Sequence, residues 1–166
     1  MTDTILRFIF RYLTYAGNIF PQFCVCCLLL YFDFETGYKV GSIWFWGYAV
    51  NLAFKNTIRK PRPPVAQWKV KHVKGWSFPS GHSLVSLVLY WSIAKHFAVV
   101  SPYAELLYAL PIILGLSRLY LRVHFVEDVV VGWLIAFSYL YFCEDLVIQF
   151  NAQFYEIFYR IFHILA

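Results

Sequence analysis

Long apolar stretches alternate with short polar connections along most of this 166-residue chain. Five of these stretches approach the roughly 20 residues that a helix needs to cross a bilayer core of about 30 Å. They cover residues 12–32, 40–58, 83–100, 104–121 and 128–143. The pattern therefore predicts a helical membrane protein whose chain crosses the bilayer five times.

The two ends of the chain depart from this pattern. Gly17 and Pro21 interrupt the first stretch, so residues 3–15 form either part of that crossing or a separate helix at the membrane surface. In residues 144–166, polar and apolar side chains recur on opposite sides at helical spacing. This predicts an amphipathic helix that lies on the membrane. A sixth span is the alternative for this segment.

The predicted fold is thus all-α: an integral membrane helical bundle with five to six transmembrane helices and an amphipathic C-terminal helix. The composition agrees, because 61% of the residues are hydrophobic and only 14% are charged. Soluble domains contain about 25% charged residues. The spans occupy so much of the chain that residues 1–166 are expected to form a single membrane domain.

The net charge of +5 is concentrated in one connection between two predicted spans. The basic residues of this connection are Lys55, Arg59, Lys60, Arg62, Lys69, Lys71 and Lys74. Such a cluster indicates an anionic partner. Because membrane spans flank it, we interpret the partner as the phosphate of a lipid and not as nucleic acid.

Five crossings place alternate connections on opposite sides of the membrane. The connection over residues 55–82 and the loop over residues 122–127 should therefore lie on the same face. In the first connection, Lys55 and Arg62 are seven positions apart and point the same way if the helix continues that far. Snorkelling of basic side chains at the interface is the structural alternative.

The segment Pro79-Ser80-Gly81-His82 directly precedes the third predicted span. The N–H groups in the first turn of a helix form an anion site, and glycine allows the backbone to approach the anion closely. The structural alternative is an ordinary helix start with Ser80 as its N-cap. The segment therefore indicates either a phosphate site or a helix cap.

The third group of polar residues contains Arg118, His124 and Asp128. His124 and Asp128 are four positions apart, so on a helix the carboxylate accepts a hydrogen bond from one imidazole nitrogen and leaves the other available. A nucleophilic or basic histidine needs such a carboxylate partner. A structural pair at the start of a span is the alternative.

A metal site is another interpretation of these residues, because His82, His124, Glu127 and Asp128 could supply nitrogen and oxygen ligands. The surrounding charge favours a dianionic phosphate instead, since nearby cations would repel a metal ion. These cations are Lys55, Arg62 and Arg118. We therefore predict no metal and no other cofactor.

Taken together, the three groups match the ordered pattern KxxxxxxRP, PSGH and SRxxxxxHxxxD, which spans residues 55–128. The chain resembles the type 2 phosphatidic acid phosphatase (PAP2) superfamily. The resemblance implies a metal-independent phosphatase in which His124 is the nucleophile and Asp128 orients it. His82 would protonate the leaving oxygen and then activate water. The phosphate oxygens would be bound by Lys55, Arg62, Ser80, Gly81 and Arg118.

The predicted substrate is a lipid whose phosphate lies at the membrane interface. The resemblance offers phosphatidylglycerophosphate, undecaprenyl pyrophosphate, lipid A 1-phosphate and phosphatidic acid. The small size and the absence of bulky loops favour a cell-envelope lipid such as lipid A or a prenyl pyrophosphate. The positive-inside rule places the basic face in the cytoplasm, whereas the resemblance implies a bacterial inner membrane with the active site facing the periplasm. A lipid phosphotransferase and a non-catalytic lipid-binding protein are the alternative functions.

Overall fold

The computed structural model describes residues 2–71, 73–97 and 103–165 of the chain. Its α-helices are α1 (Thr2–Leu13), α2 (Ile19–Phe32), α3 (Phe34–Ile58), α4 (Gly81–His96), α5 (Ala104–Tyr120) and α6 (Val126–Leu165). Short 3₁₀ turns cover Thr14–Gly17 and Val65–Gln67. No strand occurs in these described ranges, so the all-helical prediction is confirmed.

Helix α4 lies at the centre of the bundle and packs against α3, α5 and α6. Residues 83–90 of this helix are all buried. Because neighbouring helices cover every side of it, α4 has no polar stripe. Gly132 of α6 lies so close to the start of α4 that a Cβ atom there would be 3.0 Å from the Cβ of Ser83. The small residue therefore lets α6 approach the beginning of α4.

The N-terminal part of the chain forms two helices with an interruption between them, as the positions of Gly17 and Pro21 suggested. The α1 helix is separate, and α2 begins at Ile19, with a bend of 53° between the two helical segments. Asn18 has an extended backbone at this bend. Pro21 falls in the first turn of α2, where a missing N–H is tolerated. The α1 helix is thus distinct from α2, and whether it crosses the membrane together with α2 or lies apart from the crossing stays a prediction.

Helix α3 begins earlier than predicted. It starts at Phe34 instead of residue 40, because the Asp33 carboxylate accepts a hydrogen bond from the Thr36 N–H at 3.1 Å and caps the helix. It ends at Ile58, where Arg59 takes a left-handed conformation with φ of 49°. The helix does not continue to Arg62, so the chain leaves α3 in an irregular segment.

The prediction of a separate amphipathic helix at residues 144–166 is wrong for the described part of that range, because α6 runs unbroken over 40 residues from Val126 to Leu165. No glycine or proline follows Gly132. Glu144, where the polar stripe begins, is buried, forms an ion pair with Lys95 at 3.0 Å and contacts His96 Nε2. These contacts attach the middle of α6 to the end of α4.

In the described ranges, one helix, Val126–Phe162, is long and apolar enough to span a membrane. The bent pair of Thr4–Gly17 with Ile19–Phe32 adds a second span if the two helices cross together. The α4 and α5 helices have 16 and 17 residues, and residues 98–100 of the third predicted span lie outside the described residues. The count of five to six spans therefore stays a prediction.

The two connections that carry the candidate residues lie at the same end of the bundle. The Lys69 N–H donates to the Leu121 carbonyl at 3.0 Å, and the Ser80 N–H donates to the Asp128 carbonyl at 2.9 Å. These bonds join the connection after α3 to the loop before α6. Residues far apart in the sequence therefore meet at one site.

Candidate active site

A cavity of about 420 Å³ opens at this end of the bundle. It is lined by six of the eight predicted site residues: Lys55, Arg62, Gly81, His82, Arg118 and His124. The other two, Ser80 and Asp128, are buried and do not line it. No acidic side chain of the described ranges lines this cavity. The cavity therefore suits an anion.

His124 lies in the loop between α5 and α6, and its two ring nitrogens have different surroundings. The Arg62 Nη1 atom is 2.8 Å from His124 Nε2. Arginine can only donate hydrogen bonds, so Nε2 is the unprotonated acceptor and Nδ1 carries the hydrogen. His124 Nδ1 lies 3.3 Å from the Ser77 hydroxyl and 3.5 Å from Asp128 Oδ2. The lone pair of Nε2 is thus kept away from the carboxylate.

The protonation state of His124 follows from its burial. The pKa of His124 is lowered to about 4, chiefly by burial; the hydrogen bond with Asp128 opposes the decrease, and the cations Arg62, Arg118 and Lys55 contribute to it. Above this pKa the imidazole is neutral and its Nε2 lone pair is available. At neutral pH, His124 is therefore in the form that a nucleophile requires.

The Asp128 carboxylate behind His124 is fully buried and held by several donors. Lys60 Nζ binds its Oδ1 atom at 2.7 Å. The Ser77 hydroxyl and the Phe125 N–H, the latter at 2.9 Å, donate to its Oδ2 atom. The last bond follows from local sequence, because a carboxylate in the first turn of a helix reaches back to the residue before the helix. Asp128 is thereby fixed in position.

Two of these partners, Ser77 and Lys60, were missed by the sequence reasoning. Lys60 was counted only as part of the basic cluster, yet it pairs with Asp128 and with Glu127, each at 2.7 Å. Ser77 precedes the PSGH segment and is fully buried. Its position before that segment is the only local signal, because its contact with Asp128 spans 51 positions.

Two of the three cations of the cavity, Lys55 and Arg62, donate hydrogen bonds to backbone carbonyls. Lys55 Nζ donates to the carbonyls of Trp76 at 2.9 Å and Pro79 at 2.7 Å. The Arg62 guanidinium donates to the carbonyls of Val123, Gly75 and Lys74 at 2.9, 2.9 and 3.1 Å. Arg62 reaches the cavity through the irregular segment after α3 and not along a continued helix. Carbonyl partners orient both cations without neutralising them.

Arg118 is the most buried of the three cations, with 5% of its surface exposed. Its Nη1 atom donates to the Thr14 hydroxyl at 2.7 Å, while its Nε atom is buried and has no partner among the described residues. A buried charged donor without a partner is costly. An anion in the cavity would remove that cost.

The residues of the PSGH segment have different contacts in the structure. The Ser80 oxygen accepts a hydrogen bond from the Ser83 N–H at 3.4 Å and caps α4, as the structural alternative proposed. Gly81 lines the cavity in the first turn of α4, where N–H groups lack partners within the helix. The structure therefore assigns Ser80 a capping role and leaves its contact with phosphate a prediction.

His82 lines the same cavity as His124. Its Nε2 atom is buried and has no hydrogen-bond partner in the described part of the chain. The ring packs against Gly17, where a Cβ atom would lie 2.4 Å from His82 Cδ2. Only glycine allows this approach, so the turn after α1 fixes the imidazole and leaves Nε2 for a ligand.

The alternative of a metal site is not met by this arrangement. In residues 2–71, 73–97 and 103–165, no three His, Cys, Asp or Glu side chains are grouped so that they could hold a metal ion. Glu127 points outward, with 59% of its side chain exposed, and pairs with Lys60. The acidic members of the proposed ligand set are therefore occupied by a lysine.

The sequence also matches a known family. The model of the PAP2 superfamily matches residues 36–151. This chain belongs to the PAP2 superfamily. Phosphatidylglycerophosphatase B of Bacillus subtilis (strain 168) is 36% identical over 92 residues, which are 51% of this chain and 44% of that relative. The PAP2 chain therefore aligns with less than half the length of this curated relative.

Two crystal structures have the same fold as this PAP2 protein. The transmembrane PAP2-type phosphatidylglycerolphosphate phosphatase from Bacillus subtilis has a TM-score of 0.69 at 24% identity, covering 89% of this chain and 77% of that one. Aquifex aeolicus LpxE has a TM-score of 0.70 at 20% identity, covering 87% and 86%. The resemblance seen in the sequence motifs is confirmed. The residues before position 36 lie outside the family match, yet Arg11, Thr14, Tyr15 and Asn18 line the cavity.

Proposed function

We propose that this PAP2 protein is a membrane lipid phosphatase that hydrolyses a phosphate monoester or pyrophosphate on a lipid headgroup through a phosphohistidine at His124. The observation that carries the proposal is the contact between Arg62 and His124 Nε2 at 2.8 Å. This contact supports an unprotonated nitrogen beside a cation that we propose to bind phosphate, with Asp128 and Ser77 near the other ring nitrogen.

In the first step, His124 Nε2 attacks phosphorus in line with the leaving oxygen. The new N–P bond forms as the P–O bond breaks, and a protonated His82 donates its Nε2 hydrogen to the leaving oxygen. The lipid alcohol, or lipid phosphate, departs. Asp128 stabilises the positive charge that develops on the imidazole of His124.

In the second step, the neutral His82 accepts a proton from a water molecule as the water oxygen attacks phosphorus. The N–P bond breaks, inorganic phosphate forms, and both histidines return to their initial states. Lys55, Arg62 and Arg118 bind the equatorial oxygens in both steps. Such electrostatic stabilisation dominates phosphoryl transfer, so the three cations supply the charge that a metal ion supplies in other phosphatases.

The experiment that tests this function is phosphate release from a panel of lipid phosphates by purified protein in detergent, with a chelator present. The panel contains phosphatidylglycerophosphate, undecaprenyl pyrophosphate, lipid A 1-phosphate and phosphatidic acid. We expect at least one substrate to release phosphate at the same rate with and without chelator. Loss of activity with chelator would contradict metal independence. Binding of every lipid without phosphate release would favour a non-catalytic protein, and phosphate transfer to a second lipid would favour a phosphotransferase.

Ser77→Ala is expected to lower kcat by about tenfold, because Asp128 loses a hydrogen bond of a charged group, worth about 1.5–3 kcal/mol. The affinity for substrate should change little, since Ser77 does not line the cavity. Steady-state kinetics with the best lipid of the panel measure both constants. Ser92→Ala is the matched control, because Ser92 is also fully buried in the bundle but its hydroxyl has no described partner. Equal loss in both variants would argue against a role of Ser77 in the site.

We further propose that the protein lies in a bacterial inner membrane with the active site facing the periplasm. The positive-inside rule, applied to the basic cluster, places the active-site face in the cytoplasm. Several residues of this cluster, however, have local partners. Lys60 pairs with Asp128, Lys69 lies 3.8 Å from the centroid of the Tyr120 ring, and Lys71 and Lys74 line the cavity. These contacts explain the charges without the positive-inside rule.

This orientation predicts the location of the C-terminus. The α6 helix begins at the active-site end and runs away from it, so a reporter fused after Ala166 should be cytoplasmic. A reporter fused to a chain that ends at Lys74 should be periplasmic. Activity of reporters that function only in one compartment measures both locations. A periplasmic signal after Ala166 would reverse the proposed orientation.

A further inference from the structure

A second, smaller cavity of about 140 Å³ lies beside the catalytic cavity, between α2, α3 and α4. Gly81 and His82 line both cavities, so the second cavity begins at the residue proposed to protonate the leaving oxygen. No Asp, Glu, Lys or Arg side chain of the described ranges lines it. The position and the neutrality of this cavity point to a part of the substrate other than the phosphate.

Asn51 supplies the polar group of this cavity. Its side chain lies on the same side of α3 as Lys55, four positions away. The residue is 3% exposed, and its Oδ1 atom is buried without a hydrogen-bond partner in the part of the chain that the structure describes. An unpaired buried amide oxygen is costly, because it has lost its hydrogen bonds to water. A ligand that donates a hydrogen bond to Asn51 would remove that cost.

The neighbouring side-chain amide of Gln22 has hydrogen-bond partners for both its oxygen and its nitrogen, in contrast to the unpaired oxygen of Asn51. Gln22 also lines the second cavity and is fully buried, but its Nε2 atom donates to the Ser86 hydroxyl at 2.8 Å and to the Ala16 carbonyl at 3.3 Å. Its Oε1 atom accepts from Trp44 Nε1 at 2.9 Å. The fold thus satisfies one buried amide completely and leaves the Oδ1 atom of the other without a partner among the described residues.

From this contrast we infer that Asn51 binds a hydroxyl group on the leaving group of the substrate, close to the ester oxygen that His82 protonates. This inference rests on the proposed phosphatase function and narrows its substrate class. An amide both accepts and donates hydrogen bonds, as a hydroxyl does, whereas a second phosphate would require cations. The substrate is therefore a lipid whose phosphate monoester sits on a polyol, such as a glycerol headgroup. Phosphatidic acid and prenyl pyrophosphates have no such hydroxyl on their leaving groups.

The test compares two substrates that differ by one hydroxyl. One is phosphatidylglycerophosphate, and the other is its analogue with propane-1,3-diol in place of the headgroup glycerol. For the wild-type protein we expect kcat/KM to be about tenfold higher with the glycerol substrate, the value of one hydrogen bond. Asn51→Leu should remove this preference by lowering kcat/KM for the glycerol substrate alone. Asn56→Leu is the matched control, an exposed asparagine on the same helix that should retain the preference.

Several outcomes would overturn the inference while leaving the phosphatase function intact. Equal kcat/KM values for the two substrates with the wild-type protein would do so, and this comparison does not depend on the folding of any variant. If Asn51→Leu lowered kcat/KM equally for both substrates, Asn51 would bind a water molecule or stabilise the fold instead of recognising the hydroxyl. Hydrolysis of phosphatidic acid, but of neither of the two test substrates, would also exclude recognition of the hydroxyl. A wild-type protein that hydrolyses no lipid phosphate would instead contradict the proposed function itself.

Discussion

Replacing His124 with alanine is expected to lower phosphate release from the best lipid substrate by about 10⁴-fold or more, as the loss of a catalytic nucleophile does. The variant keeps the cations that bind the phosphate, so its affinity for substrate should remain close to that of the wild-type protein. Single-turnover phosphate release measures the rate, and displacement of labelled substrate measures the affinity.

The control for this variant is another histidine of the bundle. His96 lies at the end of α4 away from the active site and pairs with Glu144, which keeps Lys95 as a second partner. His96→Gln should therefore retain wild-type turnover. Loss of a nucleophile lowers the rate by orders of magnitude. If His124→Ala kept more than about a tenth of the wild-type rate, His124 would not be the nucleophile.

Replacing His82 with alanine should produce the second largest effect, and its size should depend on the leaving group. For a lipid phosphate ester, whose leaving oxygen needs a proton, we expect a loss of about 10²–10⁴-fold, the usual contribution of a general acid. For nitrophenyl phosphate the leaving group departs without protonation, so phosphorylation of His124 should remain fast. Hydrolysis of the phosphohistidine should become slow, because His82 also activates the water.

Rapid-mixing kinetics with nitrophenyl phosphate distinguish these steps. The His82→Ala variant should release a burst of nitrophenol equal in amount to the enzyme, followed by slow turnover. A loss of the same size on both substrates with no burst would mean that His82 does not act on the leaving oxygen. Its buried Nε2 atom would then need another explanation.

The sequence predicted the helices of this protein better than their ends. Periodicity located α4 and α5, and Gly17 correctly indicated a break before α2. The stripe of polar residues after position 144 suggested a surface helix, because a sequence pattern cannot show that Glu144 binds Lys95 and His96 across the bundle. Without a glycine or proline after Gly132, the helix simply continues.

The site was predictable where its residues fall in short motifs. His124 and Asp128 are four positions apart, and the PSGH segment is continuous, so local spacing was enough to propose them. Ser77 and Lys60 were missed because their contacts with Asp128 join residues 51 and 68 positions apart. Ser80 was proposed either to bind phosphate or to cap α4, and the structure shows its oxygen at the cap. Long-range packing, which a single sequence does not reveal, determined the roles of Ser77 and Lys60.

The most direct test of the proposed mechanism is to trap the phosphorylated enzyme. The protein would be mixed with a lipid substrate whose scissile phosphate is radiolabelled, stopped in alkali within one turnover, and digested for mass analysis. A phosphoryl group on the peptide that contains His124, stable in alkali and lost in acid, is the result that we predict. With radiolabelled nitrophenyl phosphate, whose leaving group needs no proton, the labelling should be stronger in His82→Ala. Rapid phosphate release by the wild-type protein, with no labelled peptide in either protein, would contradict a phosphohistidine at His124.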